Sequence, residues 1–274
     1  MKHITSTMQT TVIPTPDTPL QQVELMGLPL HRVTPGGAVE HLIAESAAGR
    51  GGYVMTPNLD NMYALARDPD LMDRALRAEL RVADGMPLLW ASRIKGRPLP
   101  ARVAGSDLIL SLAEAIARTG SGLFLLGGGP STAERAAEVL RRRAPGLNVI
   151  GTYCPPFGYE RDPRELEEIR ARLVAANPRF VYVGLPFPKA SRLISDLRRS
   201  LPGTWFLGLG ISFSFVCGDI SRAPRWMQNL GLEWVHRLIQ EPRRLARRYL
   251  IEGGPFALRL FWTSYRDSRA ERGS

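Results

Sequence analysis

Cysteine is scarce in this chain. Cys154 and Cys217 are the only two, too few for a metal cluster or a disulfide framework. One bridge is open in principle, but buried free thiols in a reducing compartment are the expected state. Long apolar runs are missing as well: none reaches the roughly eighteen residues that a membrane-spanning helix needs, and no N-terminal stretch has the apolar centre of a signal peptide. The chain is therefore expected to stay on the cytoplasmic side. The four histidines, His3, His31, His41 and His236, share no ligand spacing, so a catalytic metal is not indicated. The turn Gly127-Gly128-Gly129 lacks the third spaced glycine of a dinucleotide fingerprint, and no acidic residue follows the next strand, which argues against NAD. No cofactor is expected.

What remains is an ordinary globular composition with a strong charge bias. Of 274 residues, 44% are hydrophobic and 23% charged, enough to bury one sizeable core or a core plus an appendage. The net charge of +10 calls for an anionic partner: nucleic acid, phospholipid or a diphosphate substrate. No nucleic-acid-binding motif accompanies the charge, so nucleic acid is not the expected partner.

Residues 1–23 are rich in Thr, Pro and Gln without a period and read as a mobile leader. From there to residue 220 strands and helices alternate. Val23 to Leu30 and Gly51 to Met55 read as strands around a helix from Pro35 to Ala48. Helical spacing then runs from Leu59 to Leu80, interrupted or restarted near Pro69. Ser106 is the expected cap of a helix over Leu108 to Arg118, with Asp107 near its positive end. Gly122–Leu126, a helix to about Arg143 and Asn148–Gly151 form a βαβ unit. A further one follows: a helix from Pro163 to Asn177, a strand from Phe180 to Leu185, a helix from Ala190 to Ser200 and a strand from Trp205 to Gly208. The fold class is α/β, with Rossmann-like βαβ units around a mainly parallel sheet.

Polar residues concentrate where such a fold does not need them, between Thr56 and Gly105. Thr56-Pro57-Asn58 ends a strand and can present a hydroxyl and an amide from a rigid edge, the bland alternative being a strand-end cap. Asp84, between an apolar strand and Gly85, is placed to face a cleft as a general base; its bland alternative is a turn aspartate. Arg102 suits bidentate phosphate binding, or else is a solvated loop arginine. Gly127 and Gly128, between strand and helix, let a phosphate or sugar approach the backbone, unless they only form a tight turn. Asp68-Pro69-Asp70 mimics a metal-binding Asp-x-Asp, but aspartates around a proline more often start a helix.

Residues 222–272 change character, with eleven arginines, no lysine and five acidic residues. Trp226, Trp234, Trp262 and other apolar side chains are interleaved with the arginines, which suits a helical segment lying in the headgroup layer of an anionic membrane. A helix packed on the core with its polar face in water would share part of the pattern. Residues 221–274 are accordingly taken as a basic, membrane-associating appendage, and a cut after Asp219 is expected to leave a folded core.

The combination of Thr56-x-Asn58, Ala83-Asp84-Gly85, Pro100-x-Arg102-Val103-x-Gly105, Leu126-Gly127-Gly128, Gly158-Tyr159, Arg222-Ala223-Pro224-Arg225-Trp226-Met227-Gln228, Gly231-Leu232-Glu233-Trp234 and Glu241-Pro242-Arg243-Arg244 resembles the WecG/TagA/CpsF family of bacterial glycosyltransferases over about residues 25–250. The resemblance implies that residues 24–220 are the catalytic core, that Asp84 is the catalytic carboxylate, and that Arg237, Arg244 and Arg247 complete the site. Spacings of seven and three place these arginines on one face of a helix. It implies inverting, metal-independent transfer of a hexose, which could be N-acetylmannosamine, its uronic acid or glucose, from a UDP-sugar to a polyprenyl-diphosphate-linked sugar on the cytoplasmic membrane face. The expected partners are a UDP-sugar donor, a lipid-linked sugar acceptor and an anionic membrane surface, with self-association left open. Where the family carries Pro-Lys-Gln-Glu, this chain has Pro188-Lys189-Ala190-Ser191, a departure at a position the family uses near the donor sugar. The non-enzymatic alternative is a membrane-attached scaffold of a polysaccharide assembly complex.

Overall fold

The computed structural model describes residues 20–221, 223, 224, 227, 233–240, 242, 243 and 247–273. The expected leader lies almost wholly outside this set. The expected strand over Val23 to Leu30 is instead an antiparallel hairpin of β1 (Gln22–Leu25) and β2 (Leu28–His31). The chain reverses at Met26 and Gly27, whose φ values of 49° and 84° give the left-handed turn that glycine adopts at no steric cost. β1 thus begins within the stretch taken as leader.

The sheet has six strands, all parallel, in the order β4-β3-β8-β7-β5-β6. They are β3 (Gly52–Met55), β4 (Leu80–Arg81), β5 (Leu123–Gly127), β6 (Val149–Tyr153), β7 (Phe180–Gly184) and β8 (Trp205–Gly208). β3, β5 and β7 are buried at every residue. They are continuous apolar runs because a parallel sheet is covered on both faces. Successive residues feed opposite cores. Tyr53, Phe124, Val181 and Phe206 face one side, and Val54, Leu125, Phe180 and Leu207 the other. The fold class is the expected one.

The second core lies under α1 (Pro35–Ala47), α5 (Gly105–Thr119), α6 (Thr132–Arg143) and α9 (Ser212–Cys217). The first lies under the hairpin, α2 (Leu59–Leu65), α3 (Pro69–Leu76), α4 (Met86–Ile94), α7 (Pro163–Ala176) and α8 (Lys189–Leu197). The helical stretch from Leu59 is two helices. Asp68 caps the second, its carboxylate accepting from Leu71 N at 3.1 Å, with Pro69 at the first helical position.

The C-terminal segment contains α10 (Glu233–Gln240), a π-helical stretch (Arg247–Gly253) and α11 (Gly254–Gly273). Among the described residues no helix is long and apolar enough to cross a membrane. α11 packs into the first core. Leu260 is fully buried and Phe256 nearly so, and Phe256 meets the ring of Tyr63 edge-on. Lys95 Nζ is 3.1 Å from Asp267 and donates to Glu24 O at 3.0 Å, fastening α11 to α4 and the hairpin. A cut after Asp219, expected to leave a folded core, would therefore remove Phe256 and Leu260 from the first core.

Candidate active site

β3 and β4 deliver their next residues to the same carboxyl edge of the sheet, where open α/β folds hold their ligands. Val82 N donates to Met55 O at 2.9 Å and Asp84 N to Pro57 O at 2.9 Å, so the two strand exits stay side by side. Val103 N donates to Ala83 O at 2.9 Å, which brings the segment before α5 over them. α5 then begins at Gly105 after Ala104, with no side-chain cap. Ser106 is not its cap. The open N–H is met from outside the helix, by Asp84 Oδ2 at 3.4 Å from Gly105 N. The start of α5 lies against the strand exits: a Cβ at Gly105 would make ordinary contacts with Thr56 Oγ1 at 3.4 Å and Ser212 Oγ at 3.7 Å.

Asp84 sits in the recess so formed, with 27% of its side chain exposed. Burial pushes its carboxyl up to about 6; the Arg102 guanidinium and the Gly105 N–H pull it down, while Glu233 and Asp107 push it up. The carboxylate stays reachable from solvent and is more basic than an exposed one. Such a group can accept a proton from a hydroxyl.

Arg102 is the hub of this cluster and is not a solvated loop arginine. Its Nη1 lies 4.0 Å from Asp84 Oδ1 and 2.9 Å from Glu233 Oε2, and its Nη2 lies 3.5 Å from Asp107. Only 17% of the side chain is exposed. Asp107 stands in the first turn of α5, as expected. Glu233 has no place in the sequence reading as a site residue, since no spacing relates it to Arg102. It stands within the pattern Gly231-Leu232-Glu233-Trp234, which carries the resemblance without giving it a role.

Thr56 Oγ1 donates to Gly208 O at 3.4 Å, bridging to the end of β8. Asn58 caps α2 in a reciprocal box: its side chain accepts from Asn61 N at 3.0 Å, and Asn58 N donates to Asn61 Oδ1 at 3.1 Å. Both residues therefore stand at the expected edge and also hold the strand ends. Gly127 and Gly128 have φ values of 99° and 86°. A side chain at Gly127 would come within 2.8 Å of Leu185, and one at Gly128 within 3.1 Å of Thr132 and 3.3 Å of Phe213. The turn is shaped by close packing, and Gly128 N already donates to Gly184 O at 2.8 Å. The two thiols border it, Cys154 Sγ donating to Gly128 O and Cys217 Sγ to Thr132 O; both are free and half-buried.

Arg237 lies within α10, Arg244 falls outside the described residues, and Arg247 opens the π-helical stretch with its side chain 81% exposed and 3.4 Å from Glu252. Arg237 and Arg247 thus stand in different helical elements. Ala190 and Ser191, which replace the family's amide and carboxylate, are both buried on the inner side of α8 and offer no polar group to the cleft. Asp68 also pairs with Arg192, and Asp70 with Arg74. Among the described residues no group of three acidic, His or Cys side chains could hold a metal ion.

Behind the site, Arg81 is buried and donates to the carbonyls of Pro29, Leu76 and Ala78. Its own N–H donates to His31 Nδ1 at 3.0 Å. This clamps the hairpin to β4, three residues before Asp84.

The family model for the glycosyl transferase WecG/TagA/CpsF family matches residues 23–270, a span that takes in the hairpin, the sheet, the Asp84 recess and α11. The chain belongs to the WecG/TagA/CpsF family of glycosyltransferases, and its work is glycosyl transfer in cell-surface polysaccharide synthesis.

Proposed function

We propose that the protein transfers a hexose from a UDP-sugar, with inversion and without a metal, to a polyprenyl-diphosphate-linked sugar at the cytoplasmic membrane face. The observation that carries this reading is the recessed Asp84 carboxylate, held up to about 6 at the carboxyl edge of the sheet beside Arg102. The acceptor hydroxyl attacks the anomeric carbon from the side opposite the diphosphate. Its proton passes to Asp84, and the electron pair of the breaking C–O bond leaves with UDP. Thr56 and Asn58 orient sugar hydroxyls, and the turn at Gly127 and Gly128 borders the donor. Arg237, Arg244 and Arg247 neutralise the departing diphosphate.

Arg102 reaches a diphosphate only when Glu233 yields, because three carboxylates already surround it. Arrival of the donor therefore rearranges α10, which also carries Arg237. The test is a transfer assay with purified protein, a lipid-linked acceptor and a panel of UDP-sugars. One donor should release UDP only when acceptor is present. Absence of transfer from every donor would overturn the reading in favour of a scaffold, which the burial of Ala190 and Ser191 favours.

A further inference from the structure

An open groove of about 460 Å³ runs between the hairpin turn, the α2–α3 junction and α11. One wall is apolar, with Met26, Leu65 and Met72; the other is the row Arg259, Thr263, Arg266 of α11. Seven residues of helix separate the two arginines by about 10.5 Å along the axis, a span their long side chains can close onto one ligand. Two other contacts of α11 are ion pairs, Lys95 with Asp267 and Arg97 with Glu271, and Arg269 lies over the ring of Tyr265. Among the described residues neither Arg259 nor Arg266 has a carboxylate partner, and both are exposed. Beside this row on the helix runs a second, Leu258, Trp262 and Tyr265, exposed at 71%, 66% and 42%. The buried face of α11 lies on the far side of the basic row.

We infer that this groove is a headgroup site for an anionic membrane phospholipid, its phosphate held by Arg259 and Arg266. The first methylenes of the lipid lie over Met26 and Met72, while Leu258, Trp262 and Tyr265 enter the headgroup layer. Guanidinium forks match phosphate oxygens, and tryptophan and tyrosine favour the membrane–water boundary. An acidic protein would also meet the arginines, but it would leave the apolar wall and the aromatic row without a partner. The inference rests on the reading of the protein as a membrane-surface enzyme, and it adds a contact distinct from the Asp84 recess.

The experiment is co-sedimentation with vesicles of phosphatidylcholine alone or mixed with phosphatidylglycerol, without sugar nucleotide. The full chain should bind only the anionic vesicles. Arg259→Gln/Arg266→Gln should weaken that binding about tenfold or more, since each basic residue near such a surface contributes severalfold. Arg142→Gln/Arg143→Gln on α6 removes the same charge far from the groove and should weaken it no more than about twofold. Ala66→Glu places an anion in the exposed lip of the groove without emptying core space. It should weaken binding more than Ala171→Glu does. Equal losses for the two arginine pairs, or none for the groove variants, would overturn the headgroup site and leave the membrane reading standing. Failure of the full chain to bind any anionic vesicle would overturn both. Transfer to a soluble acceptor, assayed separately, reports on the glycosyltransferase reading alone.

Discussion

Arg102 is bonded to Glu233 at 2.9 Å across 131 residues of sequence, so the C-terminal segment and Asp84, the proposed base, share one electrostatic cluster. Glu233 pushes the Asp84 carboxyl up and Arg102 pulls it down. In Glu233→Gln the first influence is lost and Arg102 is freed toward Asp84. The acid limb of the kcat/KM profile should then move to lower pH, with the maximum retained or reduced severalfold. An unmoved limb would separate Glu233 from the chemistry.

Replacing the proposed base itself should act differently. Asp84→Asn should lower turnover by roughly two to four orders of magnitude, with UDP-sugar binding preserved. In the unsubstituted chain kcat/KM should climb as pH rises through about 6, and the variant should lose that limb. Near-normal turnover in the Asn variant would remove Asp84 from the mechanism.

Stability should show two opposed pH dependences. The His31 pKa is lowered from 6.5 to about 4, chiefly by burial and then by Arg81. The unfolded chain therefore takes up this proton first as pH falls from 6.5 to 4. Stability declines over that window by up to about 3 kcal/mol. The Asp84 carboxyl, raised from 3.8 to about 6, holds its proton more tightly in the fold, so its contribution is lost as pH rises through 4 to 6. Urea unfolding at pH 7 should find Asp84→Asn more stable by about 1 kcal/mol, allowing for partial exposure. His31→Asn, which keeps an acceptor for Arg81 N, should flatten the decline below pH 6.5. Equal slopes in variant and unsubstituted chain would count against the assignment to His31.

The last helix should matter to the fold. Leu260→Ala empties a fully buried position in the first core and should cost about 2 to 5 kcal/mol of unfolding free energy. Leu258→Ala, a little over half a turn away on the exposed face, should cost well under 1 kcal/mol. Similar small losses would mean that α11 is only loosely attached.

Chelation gives a further check. Transfer should proceed unchanged in EDTA, because both carboxylates of Asp68-Pro69-Asp70 serve the start of α3 and its ion pairs. Activity lost in EDTA and restored by Mg²⁺ or Mn²⁺ would return those aspartates to the site.

The strands of the sheet and the position of Asp84 were legible because apolar runs and a carboxylate before glycine are local signals. The hairpin was not: burial alternates straight through Val23-Glu24-Leu25, and only Gly27 marked the reversal. Helix α11 read as a surface element because its inward stripe is diluted with Ser264 and Ser268, both buried. The Arg102–Glu233 pair and the backbone cage around Arg81 depend on approach between distant segments, which periodicity does not encode.

The turn at Gly127 and Gly128 has a thermodynamic consequence. Leu185, Thr132 and Phe213 fill the volume where side chains would stand, so this lip of the cleft is ordered before any ligand arrives and loses little entropy on binding. If the donor binds there as proposed, affinity at that lip would be set by fixed complementarity, and donors of the wrong shape would meet a wall that does not adapt. On the proposed reading, whatever ordering cost the reaction carries would fall on the opposite side, where Arg102 would exchange Glu233 for its ligand. The two sides of one cleft would thus divide the labour, the glycine turn discriminating by shape and the arginine side by timing.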